Sequence, residues 1–207
     1  MSTSKRARHS YHHGDLPATL LRAAGQILEK EGVEAISMRA LTRRTGVSHA
    51  APYRHFPDRE ALLAALAAEG FVMLGGAQQA AAASGAAIGL GAAYVRFALD
   101  HPQRFRLMFG GRVPIAKHPA LRQAAERTFD GIARALSARI PQAAVARDAA
   151  IAAWSLVHGL AHLMLDDRIS ASARAGRSEE EFVRQVLGAI RFAAGAAAAP
   201  GPTQSSA

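Results

Sequence analysis

Arg39, Arg43, Arg44, Arg54 and Arg59 fall within residues 37–60, together with His49 and His55. Guanidinium groups bind phosphate oxygens, and imidazole can donate to guanine, so this stretch carries the chemistry of nucleic-acid contact. Ser37, Ser48 and Tyr53 add hydroxyls, and Ala50 is small enough to touch a thymine methyl. A second set, Trp154, His158, His162 and Asp166, recurs every four residues. Residues four apart share a helix face that rotates by about 40° per step. Two imidazoles and a carboxylate are metal-ligand types, yet no Glu follows the first His as in zinc proteases. The set is read as hydrogen-bonded histidines on a pocket or dimer-face helix, and no metal is expected. The adjacent His12 and His13 lie in a polar tail and define no metal site. A third set, Phe97, Phe105, Leu107, Met108 and Phe109, surrounds His101-Pro102. Apolar side chains with a few polar groups describe a small-molecule pocket and an ordinary core equally well.

The elements that must position the first set can be read from local signals. Ser37 is suited to cap a helix carrying Met38, Leu41 and Thr42 inward. Gly46 stands where that helix must stop, because glycine accepts the left-handed conformation of a C′ residue. Val47 then plugs the turn, and Ser48 caps a second helix running to about His55. This is a helix-turn-helix, whose second helix enters the major groove of DNA by its N-terminus. Ser48, His49 and Ala50 are thus placed nearest the bases. Tyr53 and His55 suit phosphates, as do Ser37, Arg39, Arg43, Arg44 and Arg59; such contacts position without specifying sequence. Phe56 is expected in the core.

Composition limits the alternatives. The chain has 207 residues, half of them hydrophobic and a fifth charged, with no cysteine, so disulfides and thiolate metal sites are excluded. That agrees with a reducing cytoplasm. The net charge of +9, supplied almost entirely by arginine, favours a polyanionic partner. It agrees equally with a solvated basic surface. No secretory signal is read at the N-terminus, because no apolar run follows MSTSKRARHS. Residues 70–95 carry no charge, but six glycines and their alanine-rich character argue against a membrane span. GxSxG, P-loop and GxGxxG motifs are all absent, and no enzyme activity or cofactor is expected.

The chain reads as all-α, with about nine helices: an N-terminal three-helix helix-turn-helix domain and a C-terminal helical dimerisation and ligand domain. Residues 1–14 form a basic arm in which Lys5, Arg6 and Arg8 suit phosphates or a minor groove. Residues 15–57 form the DNA-binding domain, 58–194 the ligand-binding and dimerisation domain, and 195–207 a disordered tail. The first helix starts at Asp15 and Pro17, presents Leu20, Leu21, Ala24, Ile27 and Leu28, and ends at Gly32. A long helix starts at its cap Asp58 and is weakened or ended by Gly75-Gly76. Further helices are expected over 88–100, a short stretch after His101-Pro102, 121–140, 142–167 and 179–192. Residues 168–177 read as a loop.

GVSHAAPYRHFPDREALLAAL resembles the helix-turn-helix signature of the TetR (tetracycline-repressor) family of transcriptional regulators. The preceding YHHGDL and residues 16–44 look like that family's first two helices, so the likeness covers about residues 11–70. AWSLVHGLAHLML, residues 153–165, is similar to the Trp-His-Gly signature of one of the family's C-terminal ligand domains. The resemblance implies a homodimeric regulator of palindromic operator DNA, most often a repressor that a small molecule releases. It also implies a pocket, for which Phe97, Phe105, Met108, Phe109, Trp154 and His158 are the candidates, and an apolar or aromatic effector. A sequence-nonspecific nucleoid or architectural protein is the alternative reading. One position departs from the family's pattern: Pro52 replaces the usual apolar residue before the Tyr. A helix capped at Ser48 would need the N–H that Pro52 lacks, so a distorted first turn is expected.

Overall fold

A computed structural model of the chain describes residues 16–82, 87–138, 140 and 142–189. The basic arm over 1–14, the helix start at Asp15 and the tail over 195–207 lie outside the described residues. Among the described residues there are nine α-helices and no strand. They form two compact units. Residues up to Gly70, with Gln103–Arg122, make the first; Phe71–Pro102, with the described residues from Gln123 onward, make the second.

The first unit begins with α1 (Leu16–Glu31), whose Leu20, Ala24, Ile27 and Leu28 are buried. Their spacing is that of one helix face. Gly32, at φ 83°, ends the helix, and a 3-10 turn over Val33–Ala35 delivers the buried Ile36. α2 (Met38–Thr45) packs on α1. Ser37 caps α2, its Oγ accepting the Ala40 N–H at 3.1 Å. Gly46 closes it in the left-handed conformation, φ 70° and ψ 15°, donating its N–H to the Thr42 carbonyl. Burying Leu20, Leu28 and Leu41 contributes about 1.5–3 kcal/mol for each side chain.

The expected α-helix over Ser48–His55 is not formed. The stretch is a turn followed by a 3-10 turn over Pro52–Arg54. The N–H missing at Pro52 leaves the Ser48 carbonyl to Ala51 N at 3.0 Å, three residues on instead of four. Asp58 then caps α3 (Arg59–Ala82), its Oδ1 accepting the Ala61 N–H at 2.7 Å. The unit is completed by α5 (Pro102–Phe109) from Gln103 onward, a 3-10 turn over Ile115–Lys117 and the start of α6 (Pro119–Ser137).

In the second unit α4 (Ala87–Asp100) packs on α7 (Ala143–Leu165) and α9 (Glu179–Ala189). Tyr94, Val95 and Ala98 of α4, Val157, Leu160 and Ala161 of α7, and Phe182, Val183 and Leu187 of α9 are buried. Gly91 permits the approach: a Cβ there would lie 2.9 Å from a Leu187 methyl and 3.1 Å from one of Val157. A reciprocal capping box opens α9. The Ser178 N–H donates to Glu181 Oε2 at 3.0 Å, and the Glu181 N–H donates to Ser178 Oγ at 3.3 Å.

Two further expectations are corrected. Gly75-Gly76 neither ends nor breaks α3, which continues to Ala82. Tertiary packing outweighs the roughly 1 kcal/mol that each glycine costs a helix. Leu74 and Gln78 on either side are buried, and Thr128 of α6 reaches the α3 backbone, its Oγ1 donating to the Phe71 carbonyl at 3.0 Å. The segment 168–177 is not all loop, since Ser170 caps a single helical turn, α8 (Ala171–Arg174). By length and composition, α3 and α7 are apolar enough to cross a bilayer. Leu62, Leu66 and Leu74 of α3 and Ala150 and Ala161 of α7 are nonetheless fully covered by protein.

Candidate functional site

α2 and the turn after it carry a run of exposed polar residues. Ser37, Arg39, Arg43, Ser48, His49, Ala50, Tyr53 and His55 are all exposed. Among the described residues the guanidinium groups of Arg39 and Arg43 enter no ion pair, so their charge faces solvent. The rings of His49 and Tyr53 lie 6.0 Å apart. Beneath them Pro52, Phe56, Leu41 and Thr45 are buried and fix the turn from inside. Arg54, exposed within the 3-10 turn, joins this run. It was visible in the sequence as one more cation, but the 3-10 winding gives it its place.

The structure separates the other two arginines from this group. Arg44 leans back on α1, donating from Nε and Nη2 to Gln26 Oε1 at 3.3 and 3.1 Å, with Glu31 at 4.0 Å. Arg59 closes the 3-10 turn over Val33–Ala35. It donates to the Ile36 and Val33 carbonyls at 2.8 and 2.7 Å and lies 3.5 Å from Glu34. Its guanidinium holds α3 to the turn that launches α2. Arg112 also pairs with Glu34, and His118 Nε2 lies 3.0 Å from Glu60 Oε1. The segment after α5 is thereby tied to the same region.

Sequence reasoning missed a buried cation at the centre of this unit. Arg104 of α5 is 7% exposed. Its Nη1 donates to Glu69 of α3 at 2.7 Å and to the Leu66 carbonyl at 3.3 Å, and its Nε lies 3.9 Å from Glu29 of α1. Glu29 in turn accepts the backbone N–H groups of Gln103 and Arg104, each at 3.3 Å, satisfying the free donors at the start of α5. Gly25 makes room: a Cβ there would lie 2.5 Å from the guanidinium. The available signal was phase, because Arg104 stands four residues before Met108 on the apolar side of α5, whereas Arg106 points outward.

The six pocket candidates divide between the units. Phe105, Met108 and Phe109 belong to the first, where Phe105 and Met108 are core residues and the Phe105 and Phe109 rings lie 4.9 Å apart. Phe97, Trp154 and His158 belong to the second. There Trp154 and His158 converge with Tyr94, which the sequence did not single out. Trp154 Nε1 donates to the Tyr94 hydroxyl at 3.2 Å, and that hydroxyl lies 2.8 Å from His158 Nδ1. Phe129 stands edge-on to Trp154 at 6.0 Å, and His162 stands edge-on to His158 at 4.6 Å. Phe97 packs instead on His101, ring to ring at 5.1 Å. A tyrosine 1% exposed in an apolar helix must find a polar partner, and that was the signal for Tyr94.

Burial raises the Tyr94 hydroxyl far above its ordinary range, so it stays protonated, although the Trp154 hydrogen bond opposes this. Burial, and then the neighbouring His162, lower His158 below its ordinary 6.5. A neutral His158 accepting the Tyr94 proton at Nδ1 carries its own proton at Nε2. In that tautomer the relay runs from Trp154 to Tyr94 to His158. Among the described residues no three metal-ligating side chains gather.

A pH dependence follows. The unfolded chain protonates this imidazole near 6.5 and the folded chain only lower, so the unfolded state binds more protons between the two values. The His158 contribution to stability is complete above about 6.5, declines below it, and has gone beneath the folded value. Urea unfolding from pH 8 to pH 5 should show this decline, and His158→Gln should reduce it. An equal decline in both proteins refutes the assignment.

Residues 20–66 match the family described as bacterial regulatory proteins, tetR family, and residues 87–200 match the tetracyclin repressor-like C-terminal domain. The chain belongs to the TetR family. As a TetR-family member it is a DNA-binding transcriptional regulator. A solved structure of a protein of unknown function from Rhodococcus sp. RHA1 is 35% identical, with a TM-score of 0.73, over 88% of this chain and 96% of that one. The TetR-family transcriptional regulator PfmR from Thermus thermophilus, 18% identical over 82% of this chain and 94% of its own, shares the fold with a TM-score of 0.56. The class A tetracycline repressor protein from transposon 1721 of Escherichia coli is 45% identical over 51 residues, 25% of this chain. That match spans 24% of the repressor's own length.

Proposed function

We propose that this TetR-family protein is a cytoplasmic, ligand-responsive repressor that binds a palindromic operator as a homodimer and is released by a small molecule. The observation that carries the reading is the joint exposure of Ser37, Arg39, Arg43, Ser48, His49, Ala50, Tyr53 and His55, with Leu41, Thr45, Pro52 and Phe56 of the same segment buried. The cations and hydroxyls of α2 suit phosphates, and the turn after Gly46 suits base edges. The exposed face of α7 supports self-association: Ile151, Ser155, Gly159 and Leu163 follow each other at steps of four, with Val145 also exposed. A twofold dimer then reads half-sites about one DNA turn, ~34 Å, or a multiple apart. The aromatic rings of Trp154 and Phe129 beside the Tyr94 and His158 relay favour an apolar or aromatic effector able to hydrogen-bond.

Selection of genomic fragments by the purified protein tests this reading. A shared inverted repeat is expected, and random fragments would exclude an operator. Each of Arg39→Ala and Arg43→Ala should flatten the slope of log K against log salt by about 0.9, because one phosphate contact and its released counterions are lost. Unchanged slopes would remove these residues from the interface.

A further inference from the structure

Pro52 is the one buried residue between Ser48 and His55, and its ring is less than 2% exposed. Ser48, His49, Ala50, Tyr53, Arg54 and His55 around it are all exposed. An α-helix started at Ser48 would return the N–H of residue 52 to the Ser48 carbonyl. Proline has no N–H, and its ring crowds that carbonyl. The chain closes the carbonyl with Ala51 N at 3.0 Å instead, then repeats the short spacing from Arg54 N to Ala51 O at 3.3 Å and from His55 N to Pro52 O at 3.0 Å. The wider, four-residue spacing first appears at Phe56 N to Pro52 O, 2.9 Å, where the exposed stretch is over. Ala51 already has α-helical dihedrals, φ −62° and ψ −44°, so the backbone before the proline is no obstacle to an α-helix.

The winding decides where side chains point. A 3-10 turn advances about 120° and 2.0 Å per residue, against about 100° and 1.5 Å in an α-helix. Three residues beyond the proline, at His55, the two paths differ by roughly 60° and 1.5 Å. That difference is a large part of the distance between adjacent base pairs. We propose that Pro52 is a specificity-determining residue that touches no DNA. By holding the recognition element in tight winding, it sets which bases or phosphates Tyr53, Arg54 and His55 reach once Ser48–Ala50 are seated. The proposal rests on the reading that this stretch contacts an operator.

The test uses the full chain as wild type, Pro52→Ala and Pro52→Leu. Both substitutions restore the N–H, and leucine also keeps apolar volume in the core. Each protein selects its preferred duplex from a random pool, and each is titrated on the sequence the wild type prefers. The variants should select a half-site altered at one or more positions. They should bind the wild-type sequence at least tenfold more weakly, although Arg39 and Arg43 keep their phosphates. A variant with wild-type circular dichroism that selects the same half-site, with affinity within twofold, overturns the proposal. Failure of both variants to fold overturns it as well, by assigning the proline to stability alone. If the wild type itself selects no shared sequence, the operator reading falls and this inference falls with it, a result distinct from unchanged variants.

Discussion

Arg104→Ala is expected to lower stability by about 3–5 kcal/mol, the cost of breaking a buried ion pair from one side. Arg104 is 7% exposed, and its guanidinium ties α5 to two other helices of the first unit, to α1 through Glu29 and to α3 through Glu69 and the Leu66 carbonyl. Truncation leaves two carboxylates without their cation and a void between Gly25 and Gly70. The side chains of Glu29 and Glu69 remain 26% and 41% exposed, so water softens the loss, and the lower end of the range applies. Glu69→Ala acts from the other side, leaving a buried cation with only Glu29 at 3.9 Å, and should cost a similar amount. The double variant Arg104→Met/Glu69→Leu should recover much of either loss, since apolar replacement removes the desolvation cost with the pair. Urea midpoints at constant m-value measure all three. A loss below about 1 kcal/mol for Arg104→Ala would show that the guanidinium does not hold the unit together.

Tyr94→Phe is the second large effect. Deleting one oxygen deprives both the Trp154 N–H and His158 Nδ1 of the hydroxyl between them. Losing a buried partner costs about 1–3 kcal/mol per group, and both groups are half-buried, so about 2 kcal/mol is expected in total. The causes that hold His158 below its ordinary value, burial and then His162, stay in place in this variant. Trp154 is the only tryptophan, so its emission should change in the same variant. Stability within about 0.5 kcal/mol of wild type together with unchanged Trp154 emission would break the relay.

Local chemistry was legible in the sequence wherever a single residue determines a boundary. Ser37, Gly46 and Asp58 cap or close helices as their types require, and His101-Pro102 separates α4 from α5. Pro52 was legible as a problem, but its solution was not. A missing N–H says that an α-helix is disfavoured; only the packed structure shows the ring buried and the turn wound three residues at a time. Gly75-Gly76 misled because propensity is local, whereas the hydrogen bond from Thr128 to α3 comes from a residue more than fifty positions away. Arg59 and Arg44 carry protein contacts that the sequence did not announce. As cations they fit phosphates, and in the folded chain the carbonyls after α1 and the amide of Gln26 also hold them. Arg104 and Tyr94 gain their meaning from partners 35 to 75 residues distant, and no spacing rule connects such residues.

The first unit is assembled from two separated lengths of chain, residues up to Gly70 and then Gln103–Arg122. The ribosome therefore releases the helix-turn-helix segment some fifty residues before the piece that carries Arg104. At cellular elongation rates this is a wait of roughly 3–10 s. During that interval Glu69 and Glu29 have no cation and the apolar side of α5 does not yet exist. A newly made headpiece lacks these partners until residues 103–122 of its own unit have been translated. Stopping synthesis after residue 70 should consequently yield a chain that proteases cut readily, whereas stopping it with residues 103–122 clear of the exit tunnel should not.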